Sequence, residues 1–438
     1  MKVRGTETPR ASSLGSRLRL VAVSSGIGTG GKLLQFAALA FLATQLTPAE
    51  YGRFSILQIL LFGIASIASS SFAFAANTRA ADIVSANAGV EFSTVLRAVA
   101  LGKLPVYAGI AIAGAVVFPL LYLVLSGGLV PTPFVFALGA TCSAIVVTDT
   151  FIGVVAGTGR VVPSALLDGA RGAGSAIALA VAVLLFSSDW TALGLVVVDL
   201  VIATVGISMM STRTSARRVT SLIVPRASKG VIRAGVAANA AAQLGTWALV
   251  WAVQVVGGLG AVGAFSLANR FATLVLLAPG FLSKNMLGAL RRDRPTGEDR
   301  GKSLLFFYVA TVSAGSLAAA VLAVAIGLSF PAFRGNYPGL DELLIVLSGA
   351  AVLRAVATSL GIICVSRDLL KTWVLSDAAA LLVLLISITF ALVSAADIGL
   401  LLTGLVISNA TALIWRAGGL FLSRRASSSS PEADRLAA

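Results

Sequence analysis

Long apolar runs separated by short polar breaks fill nearly the whole chain. Twelve such segments run near 20–46, 54–76, 97–125, 133–156, 161–187, 190–211, 231–256, 259–283, 304–330, 342–365, 372–395 and 398–421. Each is long enough to cross a hydrocarbon core, which takes ~20 helical residues. The pattern predicts an all-α integral membrane protein with about twelve transmembrane helices. Pro105 and Pro119 fall in the third segment, so kinks are expected there.

The breaks sort by charge. Of the 33 Lys and Arg, only Arg53 and Arg334 fall in one set of turns. Five more lie within spans: Lys32, Arg171, Arg270, Arg354 and Arg416. That leaves 26 on the side that carries both ends of the chain. Cationic loops stay in the cytoplasm, so both termini are expected there. The opposite turns carry Glu50, Asp189, Asp341, Glu342 and Asp397, and all are short.

A repeat overlies this pattern. Ala43–Gln58 closes one span, turns and opens the next, with Pro48 and Gly52 in the turn. Ala252-Val-Gln254, a Gly-rich turn, Gly263-Ala-Phe265-Ser266 and Asn269 echo Ala43-Thr-Gln45, Gly52-Arg-Phe54-Ser55 and Gln58. Gly263 follows Gly52 by 211 positions. Six spans precede the copy, an even number, so both halves would enter the membrane in the same direction. The expected organisation is a basic cytoplasmic tail (1–19), an N-lobe of six helices (20–211), a cytoplasmic linker (212–230), a C-lobe of six helices (231–421) and a disordered tail (422–438). The lobes would be parallel repeats about an axis along the membrane normal.

Composition removes several function classes. Mean hydropathy is +0.96, and only 12% of residues are charged. There is no His, and Cys142 and Cys364 sit in apolar stretches, so no metal site and no cofactor is expected. The net charge of +15 is explained by inner loops that meet anionic lipid, and nucleic acid is not expected as a partner. No phosphate-binding Gly-rich loop follows a strand, which argues against ATP hydrolysis. Glycan chemistry would call for loop carboxylates on a sizeable outer domain, and the outer turns are too short. The chain is expected not to be an enzyme.

Several turns together resemble the bacterial polysaccharide flippases of the multidrug/oligosaccharidyl-lipid/polysaccharide (MOP) exporter superfamily. Leu46-Thr-Pro-Ala-Glu-Tyr-Gly52-Arg-Phe54 is similar to that family's first hairpin. Phe333-Arg-Gly335-Asn-Tyr337 is similar to its turn between spans nine and ten. Gly157-Thr-Gly159-Arg160 and Val365-Ser-Arg367-Asp-Leu-Leu-Lys371 resemble its paired inner turns, and Val262–Arg270 resembles its eighth span. The turn Val256-Gly-Gly-Leu-Gly-Ala-Val262 departs from the pattern, lacking the usual acid and Tyr. The resemblance implies a two-lobed, alternating-access transporter in the bacterial inner membrane. Its cargo would be an undecaprenyl-diphosphate-linked sugar or oligosaccharide, moved to the outer leaflet for O-antigen, capsule or exopolysaccharide. Membrane lipids and polysaccharide-assembly proteins would be its neighbours.

Ionisable groups at membrane depth are candidates for function. Lys32, Arg270 and Arg354 lie mid-span and would meet the diphosphate. Gln35, Asn239, Gln243 and Asn269 lie at similar depths and would meet sugar hydroxyls. The structural alternative is that each cation packs against an acid of another span, with Asp149, Asp168, Asp199 and Asp377 available. Asp168 and Arg171, three apart on one helix, are expected to pair locally. Arg416 is expected to snorkel from a span end. A cation-coupled multidrug exporter of the same superfamily is the competing reading. Such exporters place a carboxylate in the cavity, whereas spans one, two, seven and eight carry no acid.

Overall fold

The computed structural model describes residues 14–87, 89–100, 103–185, 191–211, 229–277, 298–367, 369–395 and 397–428. Among them the chain is helical throughout: α1 (Leu14–Gln45), α2 (Pro48–Ala86), α3 (Phe92–Ala100), α4 (Leu104–Leu125), α5 (Pro133–Ala140), α6 (Cys142–Gly157) and α7 (Val161–Leu185) come first. A 3-10 turn (Ala192–Leu195) and α8 (Val197–Ser211) follow. Then come α9 (Lys229–Leu274), α10 (Glu298–Ser329), α11 (Pro331–Asn336), α12 (Leu340–Ser366), α13 (Leu370–Val393) and α14 (Ile398–Ser428).

Ten helical stretches are long and apolar enough to span a membrane. One of them, α9, holds two of the expected spans. It is two helices that meet at a break within the expected Gly-rich turn, at Gly258, whose φ of 71° and ψ of −172° suit glycine. The sixth span is the short apolar α8. Counted this way, the described helices match a twelve-span, all-α membrane protein.

Local chemistry sets the helix boundaries. Pro48 opens α2 at its first turn, where a missing N–H costs nothing. Thr47 caps that turn: its Oγ1 accepts from the Glu50 N–H, while the Thr47 N–H donates to the Glu50 carboxylate at 3.0 Å. Pro105 similarly starts α4 after a break from α3, whereas Pro119 lies inside α4. At the other end α14 continues to Ser428, past the 421 boundary expected from hydropathy, because a helix does not stop where apolarity does. Residues 1–13, most of the linker (212–228) and 429–438 lie outside the described residues.

By packing, the chain divides into two compact units: Met1–Arg270 with Phe330–Leu340, and Phe271–Ser329 with Asp341–Ala438. This cut differs from the lobes read from the sequence, since 229–270 pack in the first unit. In that unit α1 lies along α7 and α2 along α6. Small residues permit the approach: a Cβ on Gly31 would strike the Gly169 backbone, and one on Gly153 the Ala73 backbone. Farther along α2, Ala76, Ala80 and Ile83 form a core with Phe92, Val95, Phe151 and Val155. In the second unit Tyr308, Val312, Ala355 and Ile363 form a core, with Leu360 and Leu420 packed against it.

Within the first unit, two stretches far apart in sequence meet reciprocally. A Cβ on Gly52 would strike the main-chain oxygen of Leu259, and one on Gly263 would strike that of Pro48. Gly263 follows Gly52 by 211 positions, and Leu259 follows Pro48 by the same 211. Ser55 and Ser266, again 211 apart, are both buried.

Candidate functional site

Five helices and the 3-10 turn of the first unit enclose a polar cavity of about 230 Å³. α1 supplies Lys32 and Gln35. α2 supplies Phe62 and Ser66, Ser69 and Ser70. α6 supplies Ile145 and Asp149, α7 supplies Arg171 and Ser175, and Leu195 and Asp199 complete the wall. The small α1–α7 contact at Gly31 explains why Lys32, the next residue, lies beside Arg171.

The electrostatic centre of this cavity is Arg171. Its Nη1 lies 2.7 Å from Asp149 Oδ1, and its Nε lies 2.7 Å from Asp199 Oδ1. Arg171 and Asp199 are 8% and 1% exposed, so neither charge has much access to water. Such burial is tolerable only because each ion has its counter-ion at contact distance. Asp168 is also buried and adds to the negative field at Arg171. The expected local Asp168–Arg171 bridge is thus not the contact made. The guanidinium instead reaches acids on α6 and α8, because a three-residue spacing fixes only which face the group leaves from.

The second unit holds a different triad. Arg416, expected to snorkel, is 4% exposed and bonded in three directions. Its Nε donates to Ser376 Oγ at 2.7 Å, its Nη1 to the Ala357 oxygen at 2.7 Å and its Nη2 to Asp377 at 2.6 Å. The buried acceptors on α12 and α13 hold it inside, where a single end-of-span Arg would otherwise reach for the interface. Arg354, on α12 one turn from Ala357, is exposed and lies in the electrostatic field of Asp377 and Arg416.

The remaining residues singled out by sequence are dispersed. Of the seven, the cavity brings together Lys32 and Gln35, both half-buried. Arg270, at the end of the first unit's part of α9, donates to Gln58 Oε1. Its guanidinium also stands 5.5 Å from the Tyr51 ring centre and 5.9 Å from that of Phe54. Gln243 lies against Gly63 of α2 beside Trp247, and Asn239 and Asn269 are half-buried on α9. Trp247 is only 8% exposed and packs inside the first unit. Sequence reasoning placed Asp149, Arg171 and Asp199 among structural pairs. Their occurrence on three consecutive spans was the signal that they could share one site.

No protein-family model matches the sequence, and no curated protein is similar to it. Solved structures are. One is an outward-facing multidrug resistance MATE family transporter of the MOP superfamily, with a TM-score of 0.62, 14% identity, and 96% of this chain and 98% of that chain covered. Another is the lipid II flippase MurJ in an inward closed conformation, with a TM-score of 0.62, 14% identity, and 92% and 87% covered. A third is a MOP superfamily transporter from Pyrococcus furiosus, with a TM-score of 0.61, 14% identity, and 92% and 95% covered.

The chain has the MOP transporter fold.

At 14% identity the likeness is one of fold. It embraces a transporter named for multidrug resistance and a flippase named for lipid II. In this MOP fold the Lys32 cavity lies wholly within the first packing unit, walled by α1, α2, α6, α7 and α8 with the 3-10 turn.

Proposed function

We propose that this protein is a multi-pass transporter of the bacterial inner membrane, with both termini cytoplasmic. It flips an undecaprenyl-diphosphate-linked sugar or oligosaccharide to the outer leaflet by alternating access. The observation that carries this reading is Lys32, a cation at membrane depth in a polar cavity, with Gln35 and three serines beside it. A cation so placed suits an anionic head group, and amide and hydroxyl groups suit sugar hydroxyls. Arg270 and Arg354 extend the set of cations, with Asn239, Gln243 and Asn269 as further polar contacts. The reciprocal contacts at an offset of 211 support two six-span lobes, 20–211 and 231–421, built as parallel repeats.

A second reading, a cation-coupled multidrug exporter, is favoured by Asp149 and Asp199. Both line the same cavity as Lys32, arriving from α6 and α8. The lack of acids on spans one, two, seven and eight therefore does not separate the two readings. The deciding experiment replaces Lys32 with Ala in a strain that depends on this gene. Surface polysaccharide should fall while protein abundance stays near wild type, and Lys32→Arg should retain part of the export. Normal surface glycan in the gene deletion, together with lost ion-gradient-driven dye efflux, would overturn the flippase in favour of the exporter.

A further inference from the structure

The two units carry triads of opposite polarity. In the first, one Arg on the fifth span is flanked by Asp on the fourth and sixth: Arg171 between Asp149 and Asp199. In the second, one Asp on the eleventh span is flanked by Arg on the tenth and twelfth: Asp377 with Arg354 and Arg416. Arg354 follows Asp149 by 205 positions and Asp377 follows Arg171 by 206, so two of the three positions correspond with their charges exchanged. The third pair, Asp199 and Arg416, shares the span but not the position, being 217 apart.

The triads differ in how completely they are satisfied. Arg171 is held by both flanking acids at 2.7 Å. Among the described residues Asp377 is bonded to Arg416 alone, while Arg416 also donates to Ser376 and the Ala357 oxygen. One carboxylate facing two guanidinium groups leaves a charge of +1 in the middle of the second unit. That charge resides on Arg354, whose exposed side chain stands one turn from the Ala357 oxygen that Arg416 grips.

The face that presents Arg354 is not built for lipid. On its side of α12, Thr358 one turn on is exposed, while Ala350, Ala357 and Gly361 are buried against protein. The exposed large side chains of α13, by contrast, include Leu375, Leu382, Leu385, Ile386, Phe390 and Val393, as expected of a helix against acyl chains. A mid-span arginine that is exposed on a side turned to protein rather than to lipid borders water, and water at that depth in a transporter marks the path of cargo.

The geometry points to Arg354 as an anion-binding residue of the second unit, taking a phosphate or diphosphate group, with the Arg416–Asp377 pair as its positioning support. Arg416 is excluded from direct contact by burial and by its three bonds. Its contribution is to consume Asp377, the acid whose field reaches Arg354 among the described residues. This deepens the transport reading and rests on it for the nature of the cargo, but it does not depend on Lys32. A phosphate could come from a phospholipid head group or from a diphosphate-linked cargo, and the guanidinium would fork to either in the same way.

The test is site-resolved. The full-length protein is reconstituted in phosphatidylcholine nanodiscs and treated with phenylglyoxal, and the adduct on Arg354 is quantified by mass spectrometry. Arg354 should react, and Arg416 should not. Inorganic diphosphate should slow the Arg354 reaction about tenfold, as expected for a forked charge-assisted contact. Chloride at matched ionic strength should not slow it. Phosphatidylglycerol in the nanodisc is the second arm. Protection by that lipid alone identifies a head-group source, and protection only on adding diphosphate identifies a cargo source. An Arg354 adduct that forms equally fast with and without diphosphate, or is slowed equally by chloride, overturns the assignment. Export that depends on Lys32 beside an unprotected Arg354 would reject this site while leaving the proposed function standing. A protected Arg354 in a protein whose deletion leaves surface glycan unchanged would do the reverse.

Discussion

The Tyr337 hydroxyl donates to the main-chain oxygen of Ala43 at 2.8 Å, joining residues 294 positions apart. Tyr337 is 1% exposed, and its ring meets that of Tyr51 edge-on, with centres 6.1 Å apart. Ala43 lies in the last turn of α1, where carbonyls lack helical partners. The tyrosine therefore caps one helix from a short segment far along the chain. Tyr337→Phe keeps the ring and removes the donor, leaving the Ala43 oxygen without it. A loss of about 1–2 kcal/mol is expected. A lowered Tm of the purified protein in detergent, at unchanged monodispersity, is the measurement.

Gly52 and Gly263 each face a main-chain oxygen with no room for a methyl group. Gly52→Ala and Gly263→Ala should each cost about 1–3 kcal/mol through overpacking. Because the two contacts share one interface, the double variant should depart from additivity. Gly349→Ala, in open space on α12, is the control and should change stability by no more than about 1 kcal/mol, the helix propensity difference being the main term. Thermal unfolding of the four proteins decides it.

Arg171→Gln strands Asp149 and Asp199 without their shared counter-charge. Removing one member of a buried ion cluster costs about 3–5 kcal/mol, so a large fall in folded protein is expected. Adding Asp199→Asn should recover part of the loss, since the more buried of the two acids is then neutral. Fluorescence-detected size exclusion across the cycle reads this out. Equal, additive losses in the two single variants would show that the pair does not interact.

The cytoplasmic placement of the termini has its own test. With Cys142 and Cys364 buried, single cysteines can be read against a quiet background. Asn336→Cys, exposed at the end of α11, should react with an impermeant thiol reagent in intact cells. Ser85→Cys, exposed near the end of α2, should react only after lysis. The opposite pattern would invert the orientation inferred from the Lys and Arg distribution.

Span number was legible because hydrocarbon imposes a length of apolar sequence that almost nothing else mimics. Partner choice was not. The Gly-rich stretch after Gln254 read as a turn, and the chain does break there, at Gly258, whose positive φ suits glycine. Arg416 read as a span-end cation, yet Ser376, Asp377 and the Ala357 oxygen draw it inward. None of those acceptors is adjacent in sequence, so no local pattern could announce them. Lys32 and Gln35 were found because a cation and an amide at membrane depth stand out in an apolar span. Asp149, Arg171 and Asp199 share their cavity from three other helices, a juxtaposition only packing can make.

The 39 residues of α2 have a further consequence. At 1.5 Å per residue the helix is about 58 Å long, nearly twice a hydrocarbon core of ~30 Å. Its far end is not a frayed extension, because Ala76, Ala80 and Ile83 are clamped by Phe92, Phe151 and Val155. The rod is thus stiffened well beyond the bilayer. A rotation of about 10° about one end would sweep the other through roughly 10 Å, so a small tilt inside the lipid becomes a large stroke at the aqueous end.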